Sequence, residues 1–135
     1  MTGVTPSGRL LLLEPQFVLR RTVSTMAREM GLADVQEATS AAVAEKLLFE
    51  RRYDALLIAI DDEGETLELL RRLRAGETSH PARVPVAATA ASCDVELALR
   101  LKQLDVCRLL LKPFKVRGML EVISALGAPE PLSAS

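Results

Sequence analysis

Aromatic residues are scarce: the chain of 135 residues has no tryptophan, one tyrosine (Tyr53) and three phenylalanines (Phe17, Phe49, Phe114). Few rings are therefore available to stack a flavin or a nucleobase. Histidine is represented once, by His80, and cysteine twice, by Cys93 and Cys107, too few for a spaced metal cluster or a disulfide framework. The expectation is free thiols, and a solvated loop histidine in GETSHPAR with no nucleophile beside it to activate. Glycine is thinly spread, and no strand is followed by a glycine-rich phosphate cradle. Neither sign of charge dominates, with 17 Lys+Arg against 18 Asp+Glu and a net charge of −1. That balance offers no footprint for nucleic acid or an anionic membrane. Apolar runs are far below membrane-spanning length and MTGVTPSGR has no signal-peptide core, so a cytoplasmic location is expected.

What is present is apolar material enough for one domain, 49% of the chain. Its centre is YDALLIAIDD, residues 53–62, whose short unbroken apolar run closes on acidic residues and suits a parallel strand covered on both faces. Further strands are expected at 9–13, 34–38, 84–89 and 106–111, and helices at about 16–30, 41–51, 66–74, from a cap at Ser92 or Asp94 to 104, and 115–126. The first helix should start after Pro15, stop at Gly31, and bury a stripe of Leu19, Val23, Met26, Ala27 and Met30. The fourth should bury Leu97, Ala98, Leu101 and Leu104, and the charges Glu68, Arg71, Arg72 and Arg74 should form a solvated face of the third. Residues 1–8 read as a flexible lead-in, 9–126 as the domain and 127–135 as a disordered tail. Five strands alternating with five helices predict an α/β three-layer sandwich, (βα)5, with a parallel five-stranded sheet. Right-handed crossovers favour the flavodoxin-like order 2-1-3-4-5, which would set Glu14 and Ala59 facing each other across the switch point.

LLLLEP, YDALLIAI, GETLELLRRLR, VPVAATA and LLLKPF occur in this order on that alternation. With them, residues 9–126 resemble the receiver domains of bacterial two-component response regulators. Receivers hold Mg²⁺ with two acidic residues after the first strand; here Glu14 is followed by Pro15. The phosphoacceptor aspartate that ends the third strand falls on Ala59. The hydroxyl residue after the fourth strand falls on Ala90, with Thr89 one position earlier. The lysine before a proline is kept as Lys112-Pro113, and the aromatic switch three positions before it is Leu109.

Phosphoryl transfer to a receiver needs a carboxylate nucleophile and a divalent cation. Alanine at 59 removes the nucleophile and one metal ligand, and Pro15 removes another, so Mg²⁺ binding is expected to be weak or absent and no other cofactor is implied. Lys112, lacking an acyl phosphate, is expected to pair with Glu14. Asp61 and Asp62 are read as a solvated acidic loop, with use of either as a non-standard phosphoacceptor kept as an alternative.

The resemblance thus implies a stand-alone, non-enzymatic, degenerate receiver (a pseudo-receiver) acting in signal transduction as a phosphorylation-independent protein-interaction module. Receivers meet partners, or a second copy, through the fourth helix, fifth strand and fifth helix. Exposed candidates there are Glu96, Arg100, Gln103, Arg108, Lys115, Arg117 and Glu121, with Leu109 as an apolar anchor. A flavodoxin-like sensor of a small ligand is the reading from another class. DNA binding is not expected, since few residues follow Leu126.

Overall fold

The computed structural model describes residues 8–61 and 64–127. The expected flexible lead-in, apart from Gly8, the expected tail, apart from Gly127, and Asp62 lie outside the described residues. The strands are β1 (Arg9–Leu13), β2 (Asp34–Ala38), β3 (Ala55–Ala59), β4 (Val86–Ala90) and β5 (Arg108–Leu111). They form one parallel sheet in the order β2-β1-β3-β4-β5, as the alternation predicted. β3 is central and buried at every position, which is why it reads as an unbroken apolar run.

The helices are α1 (Phe17–Glu29), α2 (Ala41–Glu50), α3 (Glu65–Arg74), α4 (Val95–Gln103) and α5 (Val116–Gly127). Alternate strand residues feed two core layers. Leu11, Leu13, Leu56, Ile58, Val86 and Ala88 pack with Leu48 of α2, Leu70 and Leu73 of α3 and Leu101 of α4. Leu10, Leu12, Ala55, Leu57 and Ala87 pack with Val23 and Ala27 of α1 and Met119, Leu120 and Ile123 of α5. No described helix is long and apolar enough to cross a membrane.

Local chemistry sets the helix ends. Ser40 accepts from the Val43 amide at 3.2 Å and Asp94 from the Leu97 amide at 2.8 Å, capping α2 and α4. α1 closes at Gly31, φ 69°, with Gly31 N donating to Arg28 O and Leu32 N to Ala27 O. α4 closes in the same way on Asp105, φ 58°, with Val106 N donating to Leu101 O. An aspartate in a slot that usually takes glycine gave no stop signal. The fifth strand accordingly starts at Arg108 rather than at Val106. β4 starts at Val86, so Pro85 precedes it and its missing N–H is not demanded by the ladder.

Three packing expectations are corrected. In α1 the buried residues are Arg20, Val23, Ser24 and Ala27, while Met26 and Met30 are exposed. The face turns because Arg20 reaches over to Glu37 on β2, Nε to Oε1 at 3.0 Å, and to the Glu14 carbonyl at 2.9 Å. In α4 only Leu101 is buried and Ala98 is exposed, because this helix covers the sheet near its β5 edge. Arg74 is no solvated charge: its guanidinium donates to the carbonyls of Ala82, Val84 and Leu104 and joins the loop before β4 to the end of α4.

His80 is likewise buried rather than solvated, 4% exposed. Its Nε2 accepts the Tyr53 amide at 2.8 Å, its ring stacks near Tyr53 with centroids 6.1 Å apart, and its Nδ1 lies 3.3 Å from the Pro81 carbonyl. Accepting the Tyr53 N–H requires an unprotonated Nε2. Burial pushes the imidazole below its usual value; nearby Arg52 acts in the same direction, and the Pro81 carbonyl and Asp54 act against it. The folded state therefore binds this proton less readily than the unfolded chain. Its contribution to stability is complete above the unfolded value of about 6.5 and is lost as pH falls through the lower folded value. Urea titrations across that range should show His80→Gln, which keeps an acceptor, with a flatter acid limb than the wild type; parallel limbs would remove His80 as the cause.

Candidate functional site

The carboxyl ends of β1, β3, β4 and β5 converge at one edge of the sheet, where loops leave in alternate directions around the switch point. Leu13 pairs with Ile58 and Ala59 with Thr89, so Glu14 and Ala59 follow side by side. Glu14 is 3% exposed and Ala59 2%. Among the site residues named from the sequence, Glu14, Ala59, Asp61, Ala90 and Lys112 do gather at this edge.

Lys112 is the hub. Its ammonium lies 2.8 Å from Glu14 Oε1 and 2.8 Å from Asp61 Oδ2. The Glu14 pairing is the one expected; the Asp61 pairing is not, and it gives an ion-pair partner to a residue that is, as expected, exposed in its loop. The remaining oxygens are engaged too: Glu14 Oε2 accepts the Gln16 amide and Asp61 Oδ1 the Ala91 amide, each at 2.9 Å. Burial alone would drive Lys112 towards its neutral form, but its bonds to Asp61 and Glu14 outweigh it and raise its pKa above the ordinary lysine value.

β1 ends in this geometry because of Arg20. Its Nη1 donates to the Glu14 carbonyl at 2.9 Å and its guanidinium lies 5.6 Å from the centroid of the Phe17 ring. Glu37 receives Arg20 and Arg21, and although burial works to raise its pKa, hydrogen bonds and these charges hold it below the carboxylate norm. No sequence pattern pointed to Arg20; a single arginine on the same side of α1 as Val23, Ser24 and Ala27 was the available signal.

Thr89 is buried on the same side of the sheet as Leu57, and its Oγ1 has no partner among the described residues. Ala90 holds the position expected for a hydroxyl and offers none; its carbonyl accepts the Lys112 amide at 2.8 Å. Pro15 is exposed, with its carbonyl 3.4 Å from Arg20 Nη1. Beside the Lys112–Asp61 pair runs an open groove of about 730 Å³, lined by Gln16, Val18, Leu19 and Thr22 from the start of α1 and by Pro113, Phe114 and Val116 before and at the start of α5.

The candidate partner surface divides. Glu96, Arg100, Gln103, Arg108 and Lys115 are exposed. Leu109 is only half-buried and packs against the core beside Leu97, Leu101 and Leu104, so it is no protruding anchor. The exposed apolar side chains there are Val95, Leu99 and Leu111, which the sequence reading had not singled out. Arg117 and Glu121, though exposed, line a separate hollow with Met26, Met30 and Leu120 between α1 and α5.

No protein-family model matches the chain, and no curated protein matches it in sequence. Solved structures match it closely in fold. The chemotaxis protein CheY4 of Vibrio cholerae superposes with a TM-score of 0.76 at 17% identity, over 87% of this chain and 97% of that one. An orphan response regulator of H. pylori gives 0.79 at 18% identity, over 93% and 100%. A response regulator receiver protein from Pseudomonas putida gives 0.78 at 23%, over 92% and 99%. At these identities the likeness establishes the fold, a flavodoxin-like α/β sandwich of the CheY type.

Proposed function

We propose that this chain is a receiver-type signalling domain that works without accepting a phosphoryl group, as a non-catalytic protein-interaction module. One observation carries the reading: the strand end that would bear the nucleophile is the methyl group of Ala59, and the lysine beside it is engaged by two carboxylates of the chain itself. Without a carboxylate at that position there is no acyl phosphate to form. A divalent cation fits poorly as well. Every carboxylate oxygen of Glu14 and Asp61 is already engaged in a hydrogen bond or an ion pair, and the Lys112 ammonium lies between them. Among the described residues no group of three or more His, Cys, Asp or Glu side chains could hold a metal.

The partner face is assigned to α4 and β5, with Lys115 at its margin. Exposed Val95, Leu99 and Leu111 supply an apolar centre, and Glu96, Arg100 and Arg108 a charged rim. A second copy of the chain is the simplest occupant of such a face and a signalling protein the other. Affinity capture from the native cell extract, with Leu99→Arg as the control, tests this. The same partner should be retained before and after acetyl phosphate treatment, and Leu99→Arg should weaken retention by at least about tenfold. Retention that needs acetyl phosphate, or that ignores the substitution, would refute the assignment.

The groove beside Lys112 supports a second reading, a sensor of a small amphiphilic ligand, because its volume of about 730 Å³ is within the range of ligand sites. A thermal-shift screen with nucleotides and flavins distinguishes it from the first.

A further inference from the structure

We infer that Asp61 is the resident anion of this site, a carboxylate built into the chain that keeps the loops after β3, β4 and β5 in one arrangement. The inference rests on the reading above and adds to it how the site is regulated. Two donors from different strands converge on this side chain. The Ala91 amide, just beyond β4, donates to Oδ1 at 2.9 Å, and the Lys112 ammonium, just beyond β5, donates to Oδ2 at 2.8 Å. A main-chain N–H and an ammonium aimed at one point make an anion-binding pair, and such a pair demands a partner. In this fold it gets one from the loop that follows Ala59. The methyl group of Ala59 brings no carboxylate of its own to compete for Lys112.

Charge counting explains why the arrangement is closed to outside oxyanions. Glu14 and Asp61 each bring a negative charge and Lys112 a single positive one, so the cluster is net anionic, and the Ala91 amide and two of the three Lys112 N–H donors are already engaged. A free oxyanion would have to displace Asp61 and then sit against Glu14. Asp61 lies at the rim, its side chain 29% exposed against 4% for Glu14, so it is the movable member of the three. The pair also forms the polar wall of the groove beside α1, so withdrawal of Asp61 would open the site from that side. Three loops that in a ligand-gated site would respond to an incoming anion are thus tied together by the chain's own side chain.

The test compares the full chain with Asp61→Ala and Asp61→Asn by ¹⁵N-resolved NMR of the Ala91 amide and the Lys112 side chain, with inorganic phosphate as probe. In the wild type, phosphate should leave the Ala91 amide in place. In Asp61→Ala that amide should lose its downfield position, and phosphate should then move it with an apparent affinity at least about tenfold tighter than for the wild type. Asp61→Asn keeps an acceptor for Ala91 but not the charge, so it should hold the Ala91 resonance while freeing Lys112 to faster modification by acetic anhydride. If Asp61→Ala does not fold, the Lys112 reactivity of Asp61→Asn decides alone. An unmoved Ala91 amide in folded Asp61→Ala, a wild type that titrates with phosphate like the variant, or unchanged Lys112 reactivity in Asp61→Asn would overturn the inference. None of those results bears on whether the wild type accepts a phosphoryl group, which is read separately by mass, so the two ideas fail independently.

Discussion

Ala59→Asp should destabilise the folded chain by about 3 kcal/mol near neutral pH, because it buries a carboxylate that the existing lysine cannot neutralise. The position is 2% exposed and lies beside Glu14, with Lys112 already paired to Glu14 and Asp61. Like charges raise the pKa of the added group above its unfolded value of about 4, so the deficit relative to wild type should appear above that pH and fade below it. Three acidic side chains would then face one another, which is the start of an octahedral oxygen shell. Mg²⁺ should accordingly raise the melting temperature of Ala59→Asp while leaving that of the wild type unmoved. Urea denaturation reads the first effect, and thermal denaturation with and without Mg²⁺ the second. A substitution tolerated without loss would mean that the pocket is wetter or looser than the buried Ala59 and Glu14 imply.

The second large effect is expected at Lys112. Lys112→Met leaves Glu14, whose side chain is 4% exposed, with no counter-charge and with Asp61 nearby, at a cost of about 3 kcal/mol. Glu14→Gln in the same chain should restore a large part of that loss, since it removes the stranded charge; a coupling of about 1–3 kcal/mol in the double-mutant cycle is the signature. Strict additivity would contradict the pairing. The pKa of Lys112 is raised on folding, so its contribution is present below the unfolded value of about 10.5 and is lost as pH climbs through the folded value. An alkaline limb of the stability curve that disappears in Lys112→Met checks the sign.

Much of the architecture was legible because β1, β3 and β4 are buried almost throughout and carry the apolar residues such burial demands, with Gly31 marking a helix end. The missed boundary came from Asp105, which adopts a left-handed conformation without the glycine that usually announces it. The misplaced stripe on α1 came from Arg20, a charged residue that the periodicity rule assigns to solvent but that hydrogen bonds draw inside. Ala59 and Glu14 could be placed from motif spacing alone, since both are fixed by strand ends. The role of Asp61 could not. Its bonds reach Ala91 and Lys112, distant in the chain, and only loop geometry brings them together. His80 shows the same limit: its acceptor role for Tyr53 is a contact between the loops that lead into β3 and β4, 27 residues apart in the chain.

The central claim is tested most directly by the intact mass of the wild-type chain after incubation with acetyl phosphate and Mg²⁺ at neutral pH, with a phosphoryl-accepting receiver as positive control. The account predicts that the control gains one phosphoryl group and that this chain keeps its mass unchanged. A phosphoryl adduct that persists at neutral pH and maps to an aspartate of this chain, Asp61 included, would contradict it.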